Sequence, residues 1–273
     1  MDAARKHAQE RTGRTSYGGN GVPEIRKVAL VTGGAVRIGR AVTRALAAAG
    51  YDVAIHMRSE RTECLDARSE VEAAGQRAAL IYGELSDPAD VTRLVPEAIA
   101  ALGPIRLLVN NASEFHPDAV GNLDVARWDR HLAVNLRAPV FLTEALAKAM
   151  PAGMSGAVVN IIDQRVLKPT PNYLSYAVAK SALWSATRML AQGLAPRVRV
   201  NAVAPGPTLR SINQSLDDFA RQHAAVALGR GPSPEEIASA VIFLSEASSV
   251  TGQMLAVDGG QHLAWETEDT QVD

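Results

Sequence analysis

The sequence predicts a single α/β domain, a doubly wound parallel sheet of about seven strands with helices on both faces. Three observations predict it. Short apolar, β-branched runs alternate with longer amphipathic stretches along the body of the chain. The runs are apolar on both faces, as in strands of a covered parallel sheet. The length of 273 residues also suits one domain better than two.

The predicted strands are Lys27–Thr32, Asp52–His56, Arg77–Tyr82, Ile105–Asn110, Ala157–Ile162, Arg197–Val203 and Met254–Val257. The amphipathic stretches between them predict helices at Ile38–Ala49, Glu60–Ala74, Ala89–Ala101, Val125–Met150, Leu174–Leu194 and Pro234–Ala247. Gly50, Gly75 and Gly103 occupy positions typical of helix C-terminal caps. Ser233 occupies the N-cap position of the last helix, with a proline and acidic residues directly after it.

The flanks of the domain differ from its body in composition. Residues 1–26 carry charges and glycines without an apolar core segment, which predicts a mobile N-terminal arm rather than a secretory signal. The domain then spans residues 27–264, and residues 265–273 form an acidic, solvated tail. No apolar run reaches the roughly 18–20 residues that a membrane helix needs. With Cys64 as its one cysteine, the chain is expected to be cytoplasmic.

Composition also limits the partners. Hydrophobic residues make up 47% and charged residues 21% of the chain, values near the average for globular proteins. The formal net charge of −1 argues against a nucleic-acid binder, which usually carries a basic excess. No metal site and no membrane are expected, and the predicted partner is a small molecule.

The loop Thr32–Gly39 follows the first strand and opens the first helix of a βαβ unit. Small residues there let the backbone approach a pyrophosphate, and a helix N-terminus offers free N–H groups to it. The loop therefore predicts a Rossmann-type dinucleotide site with Gly33, Arg37, Ile38 and Gly39 at the phosphates. The guanidinium of Arg37 suits a 2′-phosphate.

The end of the second strand distinguishes NADPH from NADH. Sites for NADH usually place an acidic residue there for the ribose hydroxyls. This chain has His56, Arg58 and Ser59 instead, and Glu60 comes only where the next helix begins. Because cations attract the 2′-phosphate and a carboxylate repels it, the predicted cofactor is NADPH. His56 is equally compatible with a strand-end histidine that has a structural partner.

Tyr176 and Lys180 are four residues apart in the long predicted helix, so both side chains lie on one helix face and can enter one cleft. An ammonium near a phenol lowers the phenol pKa and makes the hydroxyl a better proton donor. The alternative is an ordinary solvated helix face, and the glycine-containing loop upstream favours the catalytic interpretation.

Taken together, these motifs resemble the short-chain dehydrogenase/reductase family, and several departures resemble its pteridine reductases. The family's loop reads Thr-Gly-x-x-x-Gly-x-Gly, and here Arg37 takes the place of the middle glycine. Ser113 replaces the final glycine of an Asn-Asn-Ala-Gly motif, which reads Asn110-Asn111-Ala112-Ser113. Thirteen positions before Tyr176 the family has serine, and this chain has Asp163. The stretch His56–Ser59 also resembles the pteridine reductase pattern.

The resemblance implies roles for further residues. Glu84 and Leu85 would flank the adenine, Asn111, Ala112 and Ser113 would close over the adenosine side, and Pro205 and Gly206 would lie beside the nicotinamide. Asn135 would kink its helix and hold a water on a proton relay to Lys180. Phe115 would stack on a pterin, although a loop anchor packed on the core is the alternative. Residues 209–224 would form a lid, with Tyr173, Leu167 and Leu209 as possible walls.

Asp163 can be interpreted in two ways. A serine hydroxyl donates a hydrogen bond to a substrate carbonyl, whereas an ionised aspartate only accepts, so the replacement is compatible with an inactive enzyme. In pteridine reductases, however, Asp, Tyr and Lys work together. There the carboxylate would hold the Tyr176 hydroxyl or contact ring N–H donors, and a protonated Asp163 would help to deliver a proton.

We therefore expect an NADPH-dependent reductase that transfers hydride to a C=N bond of a pterin, a dihydropterin or dihydrofolate, with Asp163, Tyr176, Lys180 and Asn135 as catalytic residues and Phe115, Asp163 and Tyr176 at the substrate. One alternative is a carbonyl reductase of ketones or 3-oxoacyl thioesters. Another is a non-catalytic NADP(H) sensor, against which the retained Tyr176 and Lys180 argue. The resemblance also implies a homotetramer.

Overall fold

The structure is a computed structural model, which describes residues 26–211 and 214–265. The predicted arm at 1–26, apart from its last residue, and the tail, apart from Trp265, lie outside the described residues. Seven strands form one parallel sheet in the order β3-β2-β1-β4-β5-β6-β7, so the prediction of a doubly wound α/β domain is confirmed. The strands are β1 (Lys27–Thr32), β2 (Tyr51–Met57), β3 (Ala78–Tyr82), β4 (Leu107–Asn110), β5 (Gly156–Ile161), β6 (Val198–Pro205) and β7 (Met254–Val257).

Eight α-helices connect or follow the strands in the described part of the chain. They are α1 (Arg37–Ala48), α2 (Thr62–Ala73), α3 (Pro88–Leu102), α4 (Val125–Leu132), α5 (Ala138–Ala149), α6 (Leu174–Leu194), α7 (Leu216–Ala224) and α8 (Pro234–Glu246). Gly50, Gly75 and Gly103 follow α1, α2 and α3 with positive φ, as predicted. The Ser233 side chain accepts from the Glu236 N–H at the start of α8, which confirms the predicted N-cap.

Helices cover both faces of the sheet. Apolar side chains of α1, α2 and α8 pack on one face and those of α3, α5 and α6 on the other. Neighbouring residues of one strand alternate between the two cores, as Leu30 and Val31 do, and both are fully buried. Burial of one such side chain contributes about 1.5–3 kcal/mol. The two cores therefore fix the strands, and with them the strand ends, in place.

The predicted helix Val125–Met150 is helical over Val125–Ala149 but is not α-helical throughout. A π-helical turn at Ala133–Arg137 separates α4 from α5, and α5 ends at Ala149. Short helix α7 was not predicted, and several predicted ends are displaced by one or two residues, as where β4 begins at Leu107 and β6 extends to Pro205. Among the described residues, no helix has the length and apolar character needed to span a membrane.

Candidate active site

A cleft of about 890 Å³ opens at the carboxyl ends of the strands, where β1 and β4 lie side by side and the strand order reverses. Doubly wound sheets bind ligands at this point. Nearly all the predicted site residues line it: Gly33, Arg37, Ile38, Gly39, His56, Arg58, Glu84, Leu85, Asn111, Ala112, Ser113, Phe115, Asp163, Tyr176, Lys180, Pro205 and Gly206. Ser59 and Asn135 are not among its lining residues.

The loop between β1 and α1 is shaped by close backbone contact. A Cβ at Gly39 would lie 2.1 Å from the Gly33 carbonyl oxygen, so only glycine fits there. Val36 is the N-cap of α1, makes no side-chain capping hydrogen bond, and no acidic residue follows in the first turn. The positive end of α1 is therefore not neutralised by its own side chains, which suits a phosphate group.

Arg37 adopts a left-handed backbone with φ 53°, a conformation that usually favours glycine. The position thus keeps a glycine-like backbone while it carries a guanidinium. That guanidinium donates to the carbonyl oxygens of Leu209 (3.2 Å) and Arg210 (3.0 Å). Arg37 therefore links the glycine loop to the first residues of the predicted lid, within the cleft.

The end of β2 supplies one buried and one exposed residue to the cleft. His56 is 2% exposed, and its Nε2 lies 3.0 Å from the Gly83 carbonyl oxygen. Burial lowers the pKa of His56, so the ring is neutral and has the structural partner that the sequence left open. Arg58 is half-exposed and lies 3.8 Å from a Glu114 carboxylate oxygen. Arg61, which the sequence analysis did not single out, also lines the cleft.

Two residues join the strand ends at the centre of the cleft. The Thr32 hydroxyl accepts hydrogen bonds from the backbone N–H groups of Asn111 (2.9 Å) and Ala112 (3.0 Å). The Asn111 side chain donates to the Thr32 carbonyl at 2.9 Å and the Gly33 carbonyl at 3.2 Å. Asn111 thereby fixes the glycine loop against β4.

The loop after β4 is held by buried polar groups. Asn135 lies in the π-helical turn and is fully buried. Its amide accepts from the Glu114 N–H (3.0 Å) and donates to the Glu114 carbonyl (2.9 Å), and it also accepts from the Ser113 hydroxyl (2.9 Å). Asn135 therefore clamps the peptide that precedes Phe115. The predicted kink at this position agrees with the π-helical turn.

An ion-pair cluster supports the same loop from outside. Arg130 donates to Glu114 Oε1 (2.6 Å) and Glu84 Oε2 (3.1 Å). Burial acts to raise the pKa of Glu84, but hydrogen bonds from Ser86 and Arg130 outweigh it and lower that pKa. The Glu84 carboxylate thus forms an ion pair with Arg130. Glu84 also lines the cleft, where the sequence predicts that it flanks the adenine.

The catalytic candidates meet at the end of β5. Tyr176, in the first turn of α6, donates its hydroxyl proton to Asp163 Oδ2 at 2.9 Å. Lys180, one turn further, donates to the Ile161 carbonyl at 2.8 Å, and both side chains are buried. Lys180 Nζ lies 5.8 Å from the centre of the Tyr176 ring. The structure therefore brings Asp163, Tyr176 and Lys180 together as the sequence predicts.

The direction of the Tyr176 pKa differs from the expectation. Burial, followed by the charge of Asp163 and its hydrogen bond, raises the Tyr176 pKa well above its ordinary value of 10, with smaller opposing effects from Arg165 and Ser113. In the free protein these influences outweigh the lowering by a nearby ammonium that the sequence predicts. Burial in turn lowers the pKa of Lys180 to about 8, against the charge of Asp163. The phenol is neutral at neutral pH.

Phe115 forms an aromatic group with two tyrosines. Its ring stacks on Tyr173 with centroids 4.3 Å apart and planes at 3°, and it meets Tyr176 edge to face at 4.7 Å. Tyr173 itself has φ 59°, directly before α6. The stack borders the cleft beside Tyr176, so Phe115 is part of the cleft wall rather than an anchor in the core.

Besides Arg61, sequence reasoning missed two features of the site. Arg165 lines the cleft and pairs with Asp163 Oδ2 at 3.0 Å. The second feature is a buried chain of polar groups. His131 Nε2 accepts from the His116 N–H, and His131 Nδ1 lies 2.5 Å from the Ser175 hydroxyl. The Ser175 hydroxyl in turn donates to the Asp118 carboxylate. These contacts tie the loop after β4 to the start of α6. Arg165 lies only two residues after Asp163, but no motif marks it. The members of the buried polar chain are far apart in the sequence, so no periodicity could reveal them.

Comparisons with known proteins identify the family of the chain. A family model described as Enoyl-(Acyl carrier protein) reductase matches residues 34–262. The chain belongs to the short-chain dehydrogenase/reductase family. It is accordingly an oxidoreductase, as the sequence predicts.

Members of the family with solved structures are similar over most of the chain. The FolM alternative dihydrofolate reductase 1 of Brucella canis, complexed with NADP, is 51% identical, with a TM-score of 0.86 over 89% of this chain and 97% of that one. A blue fluorescent protein from a metagenomic library, in complex with NADPH, is 36% identical, with a TM-score of 0.80 over 86% and 97%. Among sequences, the granaticin polyketide synthase putative ketoacyl reductase 2 of Streptomyces violaceoruber is 36% identical over 86% of this chain and 96% of that protein.

Proposed function

We propose that the protein is an NADPH-dependent reductase of pterins or dihydropterins, dihydrofolate included, that acts on a C=N bond. The observation that carries this proposal is the Asp163 carboxylate bonded to the Tyr176 hydroxyl beside the Phe115–Tyr173 stack. An acceptor in place of a hydroxyl suits a ring with N–H donors, and flat aromatic walls suit a flat heterocycle. The 51% identity to a protein named a dihydrofolate reductase supports the same substrate class.

The residues present fit the nicotinamide cofactor. The cradle at Gly33 and Gly39 would be filled by any added Cβ, and the N-terminus of α1 is free of acidic side chains. Arg37, Arg58 and the additional Arg61 make this end of the cleft basic, which suits the 2′-phosphate that distinguishes NADPH from NADH. Both structural relatives described above carry NADP or NADPH. When bound, NADPH supplies the hydride.

The protein's own residues supply the proton that the reduced substrate takes up. Tyr176 keeps its phenol proton at neutral pH because burial and Asp163 raise its pKa. The hydroxyl is therefore a general acid that stays protonated until a substrate atom becomes basic enough to take the proton. Lys180, whose pKa is about 8, is mainly an ammonium at neutral pH. We assign it to the cofactor's ribose and to the electrostatic support of the phenolate that forms at Tyr176.

Asn135 contributes to this chemistry indirectly, by positioning a loop. Its amide is occupied by the Glu114 peptide and the Ser113 hydroxyl, which fixes the loop that carries Phe115. The structure gives no contact between Asn135 and Lys180, so the proton relay inferred from the family resemblance remains part of the proposal.

A carbonyl reductase is the second candidate, and one observation favours it. The Ser113 hydroxyl lies close enough to Tyr176 to lower its pKa, so it supplies a hydroxyl where the family's usual serine is missing. The relative named a putative ketoacyl reductase points the same way. In that case the substrate is a ketone or a 3-oxoacyl thioester, and pterins are not turned over.

The test follows NADPH absorbance at 340 nm with biopterin, dihydrobiopterin, dihydromonapterin, dihydrofolate and a set of ketones. We expect turnover of a pterin, its loss in Tyr176→Phe and a strong reduction in Asp163→Asn. Asp66→Asn, a half-exposed carboxylate on α2, is the matched control and should keep full activity. Turnover confined to ketones would replace the proposal with the carbonyl reductase.

A homotetramer in the cytoplasm belongs to the same proposal. Phe141 on α5 and Met189 on α6 are 51% and 69% exposed, which leaves apolar side chains for a partner subunit to cover. Analytical ultracentrifugation would give the number of subunits directly.

A further inference from the structure

Arg165 holds both oxygens of the Asp163 carboxylate. Its guanidinium Nη1 donates to Oδ2 at 3.0 Å, and its backbone N–H donates to Oδ1 at 2.8 Å. Oδ2 is also the atom that accepts the Tyr176 hydroxyl at 2.9 Å. A single oxygen therefore connects a guanidinium and the proposed acid, and its position depends on Arg165.

The Arg165 side chain is itself held in place. Its guanidinium carbon lies 5.6 Å from the ring centre of Phe115 and 5.4 Å from that of Tyr173, within the range of cation–π attraction. The side chain is 18% exposed. Because the guanidinium is already fixed by the aromatic stack, little side-chain entropy is lost when it binds the carboxylate.

Two residues of α6 also act on Asp163. Tyr176 is neutral and donates to the carboxylate, and Lys180 interacts with it by charge while its Nζ donates to the Ile161 carbonyl. Among the described residues, Arg165 is the cation that pairs directly with the carboxylate. It lies on the side open to the cleft, where substrate would bind.

We propose that Arg165 is a positioning residue: it orients Asp163 as a hydrogen-bond acceptor for Tyr176 and links that carboxylate to the Phe115–Tyr173 stack. This inference rests on the proposed function, since the orientation matters through the Tyr176 proton. It also assigns the proton of the reaction to Tyr176 rather than to a protonated Asp163. Both oxygens of the carboxylate accept hydrogen bonds from Arg165 and Tyr176, so the geometry gives Asp163 the role of an acceptor.

A double-mutant cycle tests whether Arg165 acts through Asp163. NADPH oxidation with a pterin is measured for Arg165→Met, Asp163→Asn and the double variant. We expect Arg165→Met to lower kcat at least tenfold with little change in the KM for NADPH, and Arg165→Lys to recover part of the loss. In the Asp163→Asn background the same Arg165→Met change should have less than a twofold effect. Arg68→Met, which removes an exposed ion pair on α2, is the control.

Independent effects of the two substitutions on kcat would overturn the inference, as would a change confined to KM. If the wild-type protein turns over no pterin, the proposed function fails, and the pairing is then tested by thermal unfolding of the same four proteins. The double variant should lose clearly less in Tm than the two single losses added together. Additive losses in Tm would overturn the role of Arg165 whatever the substrate.

Discussion

Lys180 is a buried cation, and its replacement by methionine should stabilise the protein. Burial lowers its pKa from an ordinary value of 10.5 to about 8. The difference corresponds to about 3 kcal/mol of stability lost at pH 7, where the folded protein must bury an ammonium. Methionine has a similar length without the charge, but it gives up the hydrogen bond to the Ile161 carbonyl, which contributes about 1 kcal/mol. We expect Lys180→Met to be more stable by about 2 kcal/mol at pH 7.

The pH dependence separates this effect from a general change in packing. Below pH 8 both folded and unfolded wild type bind the proton, so the full cost is present. Between pH 8 and 10.5 the unfolded chain binds more protons than the folded one, so wild-type stability rises with pH relative to the variant. The advantage of Lys180→Met should therefore shrink by about 2–3 kcal/mol between pH 7 and 10.

The measurement is chemical unfolding of the cofactor-free proteins at a fixed subunit concentration, at pH 7, 8, 9 and 10. Lys148→Met, a 73% exposed lysine on α5, serves as the control and should show no such trend. A constant difference between wild type and Lys180→Met over this range would refute the reasoning. It would mean that the Lys180 ammonium is not destabilised by its burial.

Three further predictions concern the cofactor loop and its support. Arg37→Gly should weaken NADPH binding tenfold to a hundredfold in a fluorescence titration and leave NADH binding unchanged, because one charge-assisted contact of about 1.5–3 kcal/mol is lost. Its Tm should move little, since relief of the left-handed backbone, about 1 kcal/mol, offsets the added freedom of glycine. Gly39→Ala should abolish binding of both cofactors in the same titration, because the Cβ would meet the Gly33 carbonyl at 2.1 Å. Asn135→Ala leaves the Glu114 peptide without partners, at a cost of about 1–3 kcal/mol for each group, so both Tm and kcat should fall.

Much of the fold was predictable because its signals are local. Strands buried on both faces read as apolar runs, and the caps at Gly50 and Ser233 carry their own residue signatures. The π-helical turn was not predicted, because the stretch reads as helical throughout and the chain stays helical through the turn. Asn135 gave the location of the break only through the family resemblance.

The site was predictable where its residues lie on one element or carry a motif. Tyr176 and Lys180 share a helix face, and Gly33 and Gly39 share a loop. The partners that set their chemistry come from elsewhere in the chain. The sequence predicted that Lys180 lowers the Tyr176 pKa, whereas burial and Asp163 are the largest influences on that pKa and raise it. The extent of burial is a property of the packed core rather than of spacing.

Asp163 has a consequence for both of its catalytic neighbours. Its charge raises the pKa of Lys180, which burial lowers, and it raises the pKa of Tyr176, which burial also raises. The carboxylate therefore favours the protonated form of each, the ammonium and the neutral phenol. The family's usual serine could not do this, because a hydroxyl carries no charge. In this chain the replacement maintains a charged lysine and a protonated tyrosine in a site buried enough to disfavour the first, and the guanidinium of Arg165 balances the added negative charge.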